Sequence, residues 1–249
     1  MTHIADIPLK IKEAMASACS DMLMFAGTPS KVINTEYLFT VNVAKAITRL
    51  NGYHADPYQV SLEHGTKKFA KDCLYPIIFG NSLKRGSSIF RRGTPKIDRN
   101  GRIDVTVYID HPNNAYLGAQ PLCAIELKAF NPQRKLVIDD LKRNLEYFRL
   151  SGPTGNSVLA FTIFAALHSF TKYGDEIQVR LNESETKAKY EKWVSELGNL
   201  NDINVDIETF TVSKELLGCV FDEGEYQVLD TASRHHFVGA IVRFSKKSN

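Results

Sequence analysis

Apolar residues recur every three to four positions in the N-terminal part of the chain, a spacing typical of helices. This pattern predicts a helix over residues 8 to 26, ended by Gly27-Thr28-Pro29, and a second helix from Pro29 to Leu50. Asn51-Gly52 is the expected end of the second helix. The residues predicted to face the core are Ile11, Met15, Ala18, Met22 and Phe25 in the first helix, and Ile33, Tyr37, Val41 (or Leu38), Ala44 and Ile47 in the second.

Strand patterns dominate the middle of the chain. Residues 103 to 110 alternate between apolar and polar positions without a fault, and His111-Pro112-Asn113-Asn114 predicts a turn after them. The segment from Pro121 to Phe130 (PLCAIELKAF) is apolar enough for a central strand. Ser157 to Leu167 (SVLAFTIFAAL) is a continuous apolar run, typical of a strand that is buried on both faces.

The remaining periodic segments complete an alternation of helices and strands. Residues 135 to 149 are predicted to form an amphipathic helix with Val137, Leu141, Leu145 and Phe148 on one stripe. The other predicted elements are a short strand at 58–62, a helix at 66–75, a helix at 183–197, and strands at 205–212 and 236–244. This order predicts an α/β fold with a mixed sheet.

The composition is ordinary for a globular protein: 249 residues, 43% hydrophobic and 24% charged, with a formal net charge of +3. No apolar run is long enough to span a bilayer, and residues 1 to 6 lack the start of a signal peptide. The cysteines never form Cys-x-x-Cys, so we expect a reduced cytoplasmic setting rather than disulfides or a zinc site. No Walker-type loop and no Gly-x-Ser-x-Gly elbow is present, which argues against an NTPase and an α/β-hydrolase.

Glu126-Leu127-Lys128 places opposite charges inside the apolar strand at 121–130. Side chains alternate along a strand, so Glu126 and Lys128 project from the same face. Burying them is costly unless they are paired or bind a cation. Two further acid-x-Lys sequences occur, Glu185-Thr186-Lys187 and Asp140-Leu141-Lys142, but both lie on predicted helices. The strand context therefore makes Glu126 and Lys128 informative.

The predicted hairpin adds a second acidic residue to the same face. If its loop is centred near Ala115, Asp104 lies opposite Glu126, Thr106 opposite Ala124 and Tyr108 opposite Leu122. Two carboxylates in directly opposed positions repel each other, and a divalent cation between them removes that conflict. The register thus predicts a cation site formed by Asp104 and Glu126, and a structural ion-pair cluster is the alternative.

At these residues the chain resembles the PD-(D/E)xK nuclease superfamily, with Asp104 as the first acid, Glu126 and Lys128 as the Glu-x-Lys, and Ile103 in place of the proline. The resemblance covers about residues 30 to 167 and implies a restriction-endonuclease-like core of helix, three-strand meander, helix and strand. We therefore expect a single nuclease domain over residues 1–249, in which an N-terminal helix (1–29) precedes the catalytic core (30–167) and a C-terminal extension (168–249) packs on that core.

The resemblance also implies metal-dependent hydrolysis of phosphodiester bonds. Asp104, Glu126 and the carbonyl of Leu127 would hold Mg²⁺, or Mn²⁺ as its substitute, and Lys128 would act as a fixed cation beside the scissile phosphate. Many members carry a glutamate on the helix before the meander, for which Glu36 is the candidate and Glu63 the rival.

A basic segment leads into Asp104 and is the predicted nucleic-acid contact, with a plain solvated loop as the alternative. Its cationic residues are Lys84, Arg85, Arg91, Arg92, Lys96, Arg99 and Arg102, against the single acid Asp98. Other charges carry less weight. On the helix at 135–149, Asp139 and Asp140 are interpreted as structural because they favour its N-terminal dipole, and Lys142 and Arg143 as exposed charges.

Together these features predict a Mg²⁺-dependent DNA endonuclease in restriction or phage defence, acting as a homodimer or as the nuclease subunit of an assembly, with no membrane partner. A repair or junction-resolving nuclease is the nearest alternative. A non-catalytic nucleic-acid-binding module and a purely structural protein are alternatives of a different class.

Overall fold

The computed structural model of the protein describes residues 6–26, 36–54, 57–75, 95–97, 100–110, 118–170, 175–216, 219–230 and 234–247. The helices are α1 (Asp6–Ala26), α2 (Glu36–Thr48), α3 (Asn51–His54), α4 (Thr66–Asp72), α5 (Arg134–Glu146), a 3-10 turn (Tyr147–Arg149) and α6 (Glu176–Ser195). The strands are β1 (Tyr58–Gly65), β2 (Arg102–Asp110), β3 (Ala119–Lys128), β4 (Ser151–Gly152), β5 (Gly155–Asn156), β6 (Phe161–Phe170), β7 (Ile203–Leu216), β8 (Cys219–Glu223), β9 (Tyr226–Asp230) and β10 (Arg234–Lys246).

A six-stranded sheet in the order β1-β2-β3-β6-β10-β7 lies at the centre of the fold. β1, β2 and β3 are antiparallel neighbours, β3 runs parallel to β6, and β10 is antiparallel to both β6 and β7. The parallel pair needs a crossover, which α5 supplies. The predicted α/β class with a mixed sheet is therefore confirmed.

Helices cover both faces of this sheet. α1 and α2 pack on one face, against side chains such as Ile125 and Leu127 of β3. α4, α5 and α6 pack on the other face, against Ala124 of β3 and Phe164 of β6. Since side chains alternate along β3, Glu126 and Lys128 project towards the α5 layer. Among the described helices, none has both the length and the apolar character needed to cross a membrane.

Helix positions were predicted better than helix faces. Of the predicted core residues in α1, Phe25 is exposed, whereas Ile11, Met15, Ala18 and Met22 are buried. α2 begins at Glu36; the predicted start at Pro29, and Ile33, lie outside the described residues. Tyr37 was wrongly placed in the core and is exposed. The buried residues of α2 are instead Phe39, Thr40, Val43, Ala46 and Ile47. Apolar residues occur on more than one side of α2, so helical spacing alone did not show which side faces the core.

β6 and α6 begin at residues other than the predicted ones, and two hairpins were not predicted. β6 begins at Phe161 rather than at Ser157, because Ser157 and Val158 donate backbone hydrogen bonds to Leu150 and Cys73 outside the sheet. α6 begins at Glu176, where the Asp175 side chain accepts a hydrogen bond from the Gln178 N–H and caps the helix. The hairpins β4–β5 and β8–β9 were not predicted.

Candidate functional site

The pairing of β2 with β3 sets the geometry of the predicted acidic pair. Val105 lies opposite Ile125 and Thr106 opposite Ala124, which is the predicted register at this end of the hairpin. The prediction for Tyr108 is wrong, since it lies opposite Pro121 after an irregularity between Val107 and Tyr108. Proline has no N–H to donate to a neighbouring strand, and the ladder shifts by one residue at this point. The shift occurs beyond Thr106, so it leaves Asp104 and Glu126 on the same face.

Asp104 is buried next to the last paired residues of the hairpin, and only 9% of it is exposed. Its Oδ2 accepts a hydrogen bond of 2.6 Å from the backbone N–H of Leu127. Burial raises the pKa of Asp104 to about 6, although this hydrogen bond and the charge of Lys128 oppose the increase. The carboxyl group is thus held where its negative charge is costly without a further cation.

Glu126 is more deeply buried, with 1% of the residue exposed. Its Oε2 lies 2.8 Å from Nη2 of Arg143, whereas its Oε1 has no hydrogen-bond partner among the described residues. Burial raises the pKa of Glu126 well above its ordinary value, while Arg143 acts in the opposite direction and Asp104 adds to the increase. Glu126 Oε1 is one of several buried side-chain polar atoms without a hydrogen-bond partner among the described residues, and a cation, a water molecule or a proton on the carboxyl group would offset the cost of burying it.

Lys128 joins the strand to α2. Its Nζ donates hydrogen bonds to Glu36 Oε1 at 2.8 Å and to the Leu127 carbonyl oxygen at 2.9 Å. The same Nζ lies 3.3 Å from Oδ2 of Asp140 on α5. Of the two candidate helix acids, Glu36 therefore contacts the site, whereas Glu63 lies on β1 with its Oε2 3.9 Å from Nη1 of Arg102.

α5 contributes two residues whose roles were not predicted. Arg143, interpreted as an exposed charge, is largely buried and contacts both Glu126 and Asp140, the latter at 2.5 Å. Asp140 was assigned to the helix dipole but contacts Lys128 instead, whereas Lys142 is exposed as expected. A signal was present in the sequence, because Asp140 lies next to Leu141 on the buried stripe of the helix.

The contacts form a chain of alternating charge that runs from Glu126 through Arg143, Asp140 and Lys128 to Glu36. Asp104 lies close enough to interact electrostatically with Lys128, Glu36 and Asp140. Formally, the cluster has four carboxylates (Glu36, Asp104, Glu126, Asp140) and two cations (Lys128, Arg143), which leaves two negative charges unbalanced. A divalent cation would balance that excess, and so would protons on Asp104 and Glu126, whose pKa values are raised.

Side chains alone do not complete a metal site in the part of the chain that the structure describes. No three His, Cys, Asp or Glu side chains converge there in a way that could hold a metal ion. A metal at Asp104 and Glu126 would need further oxygen ligands, such as the Leu127 carbonyl, water or a substrate phosphate. Mg²⁺ commonly binds through one or two carboxylates together with such ligands.

The predicted nucleic-acid segment lies mostly outside the described residues. Lys84, Arg85, Arg91, Arg92 and Arg99 all fall there. Lys96 is exposed, and Arg102 opens β2 with 70% of its side chain exposed. The carbonyl of Gly101 accepts a hydrogen bond from the N–H of Thr66, which brings the exposed Lys67 and Lys68 at the start of α4 near this end of β2.

Comparison with protein-family models, with curated proteins and with solved structures found no match for this chain.

Proposed function

We propose that this chain is a Mg²⁺-dependent nuclease with a restriction-endonuclease-like core, acting on DNA. The order of the elements supports the core: α2 precedes the antiparallel strands β1, β2 and β3, and α5 then leads to β6, which is parallel to β3. This is the helix, three-strand meander, helix and strand that the resemblance implies, with α3 and α4 as additions.

The observation that carries the proposal is Oε1 of Glu126, which has no hydrogen-bond partner in the described part of the chain and lies inside a cluster with more carboxylates than cations. A buried ion cluster that only supports the fold is expected to be balanced and hydrogen-bonded, because each uncompensated buried charge costs several kcal/mol. Asp104 and Glu126 instead combine raised pKa values with an oxygen, Glu126 Oε1, that has no hydrogen-bond partner among the residues described. A divalent cation supplies what both carboxylates lack.

The residues around this pair fit the chemistry of phosphodiester hydrolysis. Asp104 and Glu126, with the Leu127 carbonyl, would hold Mg²⁺, which when bound lowers the pKa of a coordinated water and offsets charge on the phosphate. Lys128 is fixed by Glu36 and Asp140, so its positive charge stays beside the acidic pair without reorganisation.

Cleavage assays test the proposal directly. We expect wild-type protein to cut DNA with Mg²⁺ and not with EDTA, and E126Q to lose at least about a hundredfold in rate, because the glutamine amide is a neutral and weak ligand. D110N is the matched control, since Asp110 is an exposed acid at the end of β2 that lies away from Asp104. Wild-type cleavage by E126Q would overturn the site assignment.

A structural ion-pair cluster is the second candidate, because the alternating contacts from Glu126 to Glu36 already neutralise part of the charge. It predicts no cleavage and no metal binding. DNA binding without cleavage would favour the non-catalytic binding module. The role in restriction or phage defence and the dimeric assembly stay predictions from the resemblance.

A further inference from the structure

We propose that Arg143 is a built-in counter-cation of this site, which competes with the divalent metal for Glu126 and so sets the metal concentration at which the site fills. The inference deepens the proposed function and rests on it, because it concerns the same carboxylates. Nothing in the sequence pattern indicated this role for Arg143.

The contacts of Arg143 place its charge against the predicted metal ligand. Nη2 lies 2.8 Å from Glu126 Oε2 and 2.5 Å from Asp140 Oδ1. On its other side, a Cβ added to Gly101 would lie 3.5 Å from Nη1, so the guanidinium lies between the acids and the backbone that enters β2. Arg143 thus stands beside Glu126 where the fold allows little solvent.

A guanidinium and a dication on the same carboxylate repel each other, and burial strengthens that repulsion because little water screens it. Glu126 nevertheless keeps one buried oxygen, Oε1, that accepts no hydrogen bond from Arg143 or from any other described residue. The arrangement therefore leaves a ligand oxygen available while lowering the affinity for the metal.

Asp140 makes the competition physically possible. Removing both partners from a buried arginine would be too costly, but Arg143 also lies 2.5 Å from Asp140 and would retain this partner if Glu126 turned to a metal. Asp140 in turn remains close to Lys128. Metal binding then needs only the Glu126–Arg143 pair to loosen, and the rest of the cluster stays in place.

Calorimetric titration of Mn²⁺ into metal-free protein tests this role. R143Q should bind Mn²⁺ at least about tenfold more tightly than wild type, because the competing charge is gone. K142Q is the matched control: it removes the same charge from an exposed neighbour on α5, and its affinity should stay within about twofold of wild type. Unchanged or weaker binding by R143Q would overturn the inference.

Two further variants keep the outcomes separate. If wild type binds Mn²⁺, E126Q does not, and R143Q equals wild type, the metal site stands and the competition is wrong. If neither wild type nor R143Q binds Mn²⁺, both the competition and the metal site of the proposed function are wrong. Should R143Q prove unstable, Mn²⁺ should restore its unfolding temperature and should not restore that of E126Q/R143Q. The absence of this rescue would also contradict the inference.

Discussion

The ammonium of Lys128 is held by three oxygens from three parts of the chain: Glu36 at the start of α2, Asp140 on α5 and the carbonyl of Leu127. Its pKa is raised because these acids, with Asp104, outweigh the effect of burial. A lysine bound in this way stays charged and stays in place. Both properties are needed in a residue that stabilises charge on a phosphate.

Replacing Lys128 separates its role from metal binding. K128M should lower the cleavage rate by about a hundredfold, because a fixed cation beside the phosphate is lost. Mn²⁺ binding should be retained or tightened, since the variant removes a nearby positive charge and no proposed ligand. Single-turnover cleavage and calorimetry measure the two effects. Loss of Mn²⁺ binding, or cleavage at the wild-type rate, would contradict the role given to Lys128.

A second residue-scale prediction concerns His168, which lies away from the acidic pair on β6 and hydrogen-bonds the Tyr190 hydroxyl at 3.0 Å. Burial, helped by Lys189, lowers the pKa of His168 to about 4. The unfolded chain takes up the proton near pH 6.5, so the folded state loses stability as pH falls from about 6.5 towards 4. Above about pH 6.5 His168 is neutral in both the folded and the unfolded chain, and its protonation then costs the folded state no stability.

Urea unfolding at pH 7 and pH 4.5 measures this loss. The free energy of unfolding should fall by about 2 kcal/mol more in wild type than in H168Q, because glutamine does not titrate and all other groups are shared. Equal losses in the two proteins would show that His168 is not the group responsible.

At the scale of elements, the connection from β3 to α5 leads into the helix that places Asp140 next to Lys128 and Arg143 next to Glu126. Asn131 lies in this connection with a φ of 51°, which is in the left-handed region. Its N–H donates to the Leu167 carbonyl at 2.9 Å, and its side-chain oxygen accepts from the Ser169 N–H at 3.2 Å. These bonds tie the connection to β6.

Asn131 variants test the importance of that tie. N131A should lower the free energy of unfolding by about 1–2 kcal/mol, because alanine loses the side-chain bond and disfavours a positive φ. N131G keeps the backbone conformation accessible and should lose less. Denaturant unfolding gives both values. Equal stability of N131A and wild type would argue against this account of the connection.

The sequence predicted an element correctly where its apolar pattern fits only one type of secondary structure and one buried face. The strict alternation at 103–110 gave β2 and, with the turn position, the register next to Asp104 and Glu126. The register shifts between Val107 and Tyr108, opposite Pro121, which has no N–H to donate to the neighbouring strand, and simple alternation does not reveal this shift. The stripe around Leu141 could have placed Asp140 in the interior, but which charges Asp140 and Arg143 contact depends on how α5 is rotated against the sheet. Helical spacing identifies the apolar face of a helix, but it does not show which charged side chains next to that face are buried.

At the scale of the whole molecule, the net charge of +3 conceals an uneven distribution. Seven cations of the segment from Lys84 to Arg102 precede the acidic pair Asp104 and Glu126 in sequence. Under the proposed function, the basic segment would attract the phosphate backbone of DNA, and the acidic pair would lie at the site of cleavage. R91Q/R92Q should flatten the dependence of log affinity for DNA on log salt by about one for each lost phosphate contact. Fluorescence anisotropy at several salt concentrations measures this slope, and an unchanged slope would contradict the predicted contact.

The most direct test of the central claim is calorimetric titration of Mn²⁺ into the wild type and the D104N/E126Q variant, since it requires no knowledge of the substrate. Wild type should bind Mn²⁺ and the variant should not, because both side-chain ligands have become neutral amides. D110N, with its exposed acid removed from the other end of β2, should bind like wild type. Equal binding by wild type and the double variant would contradict a metal site at Asp104 and Glu126.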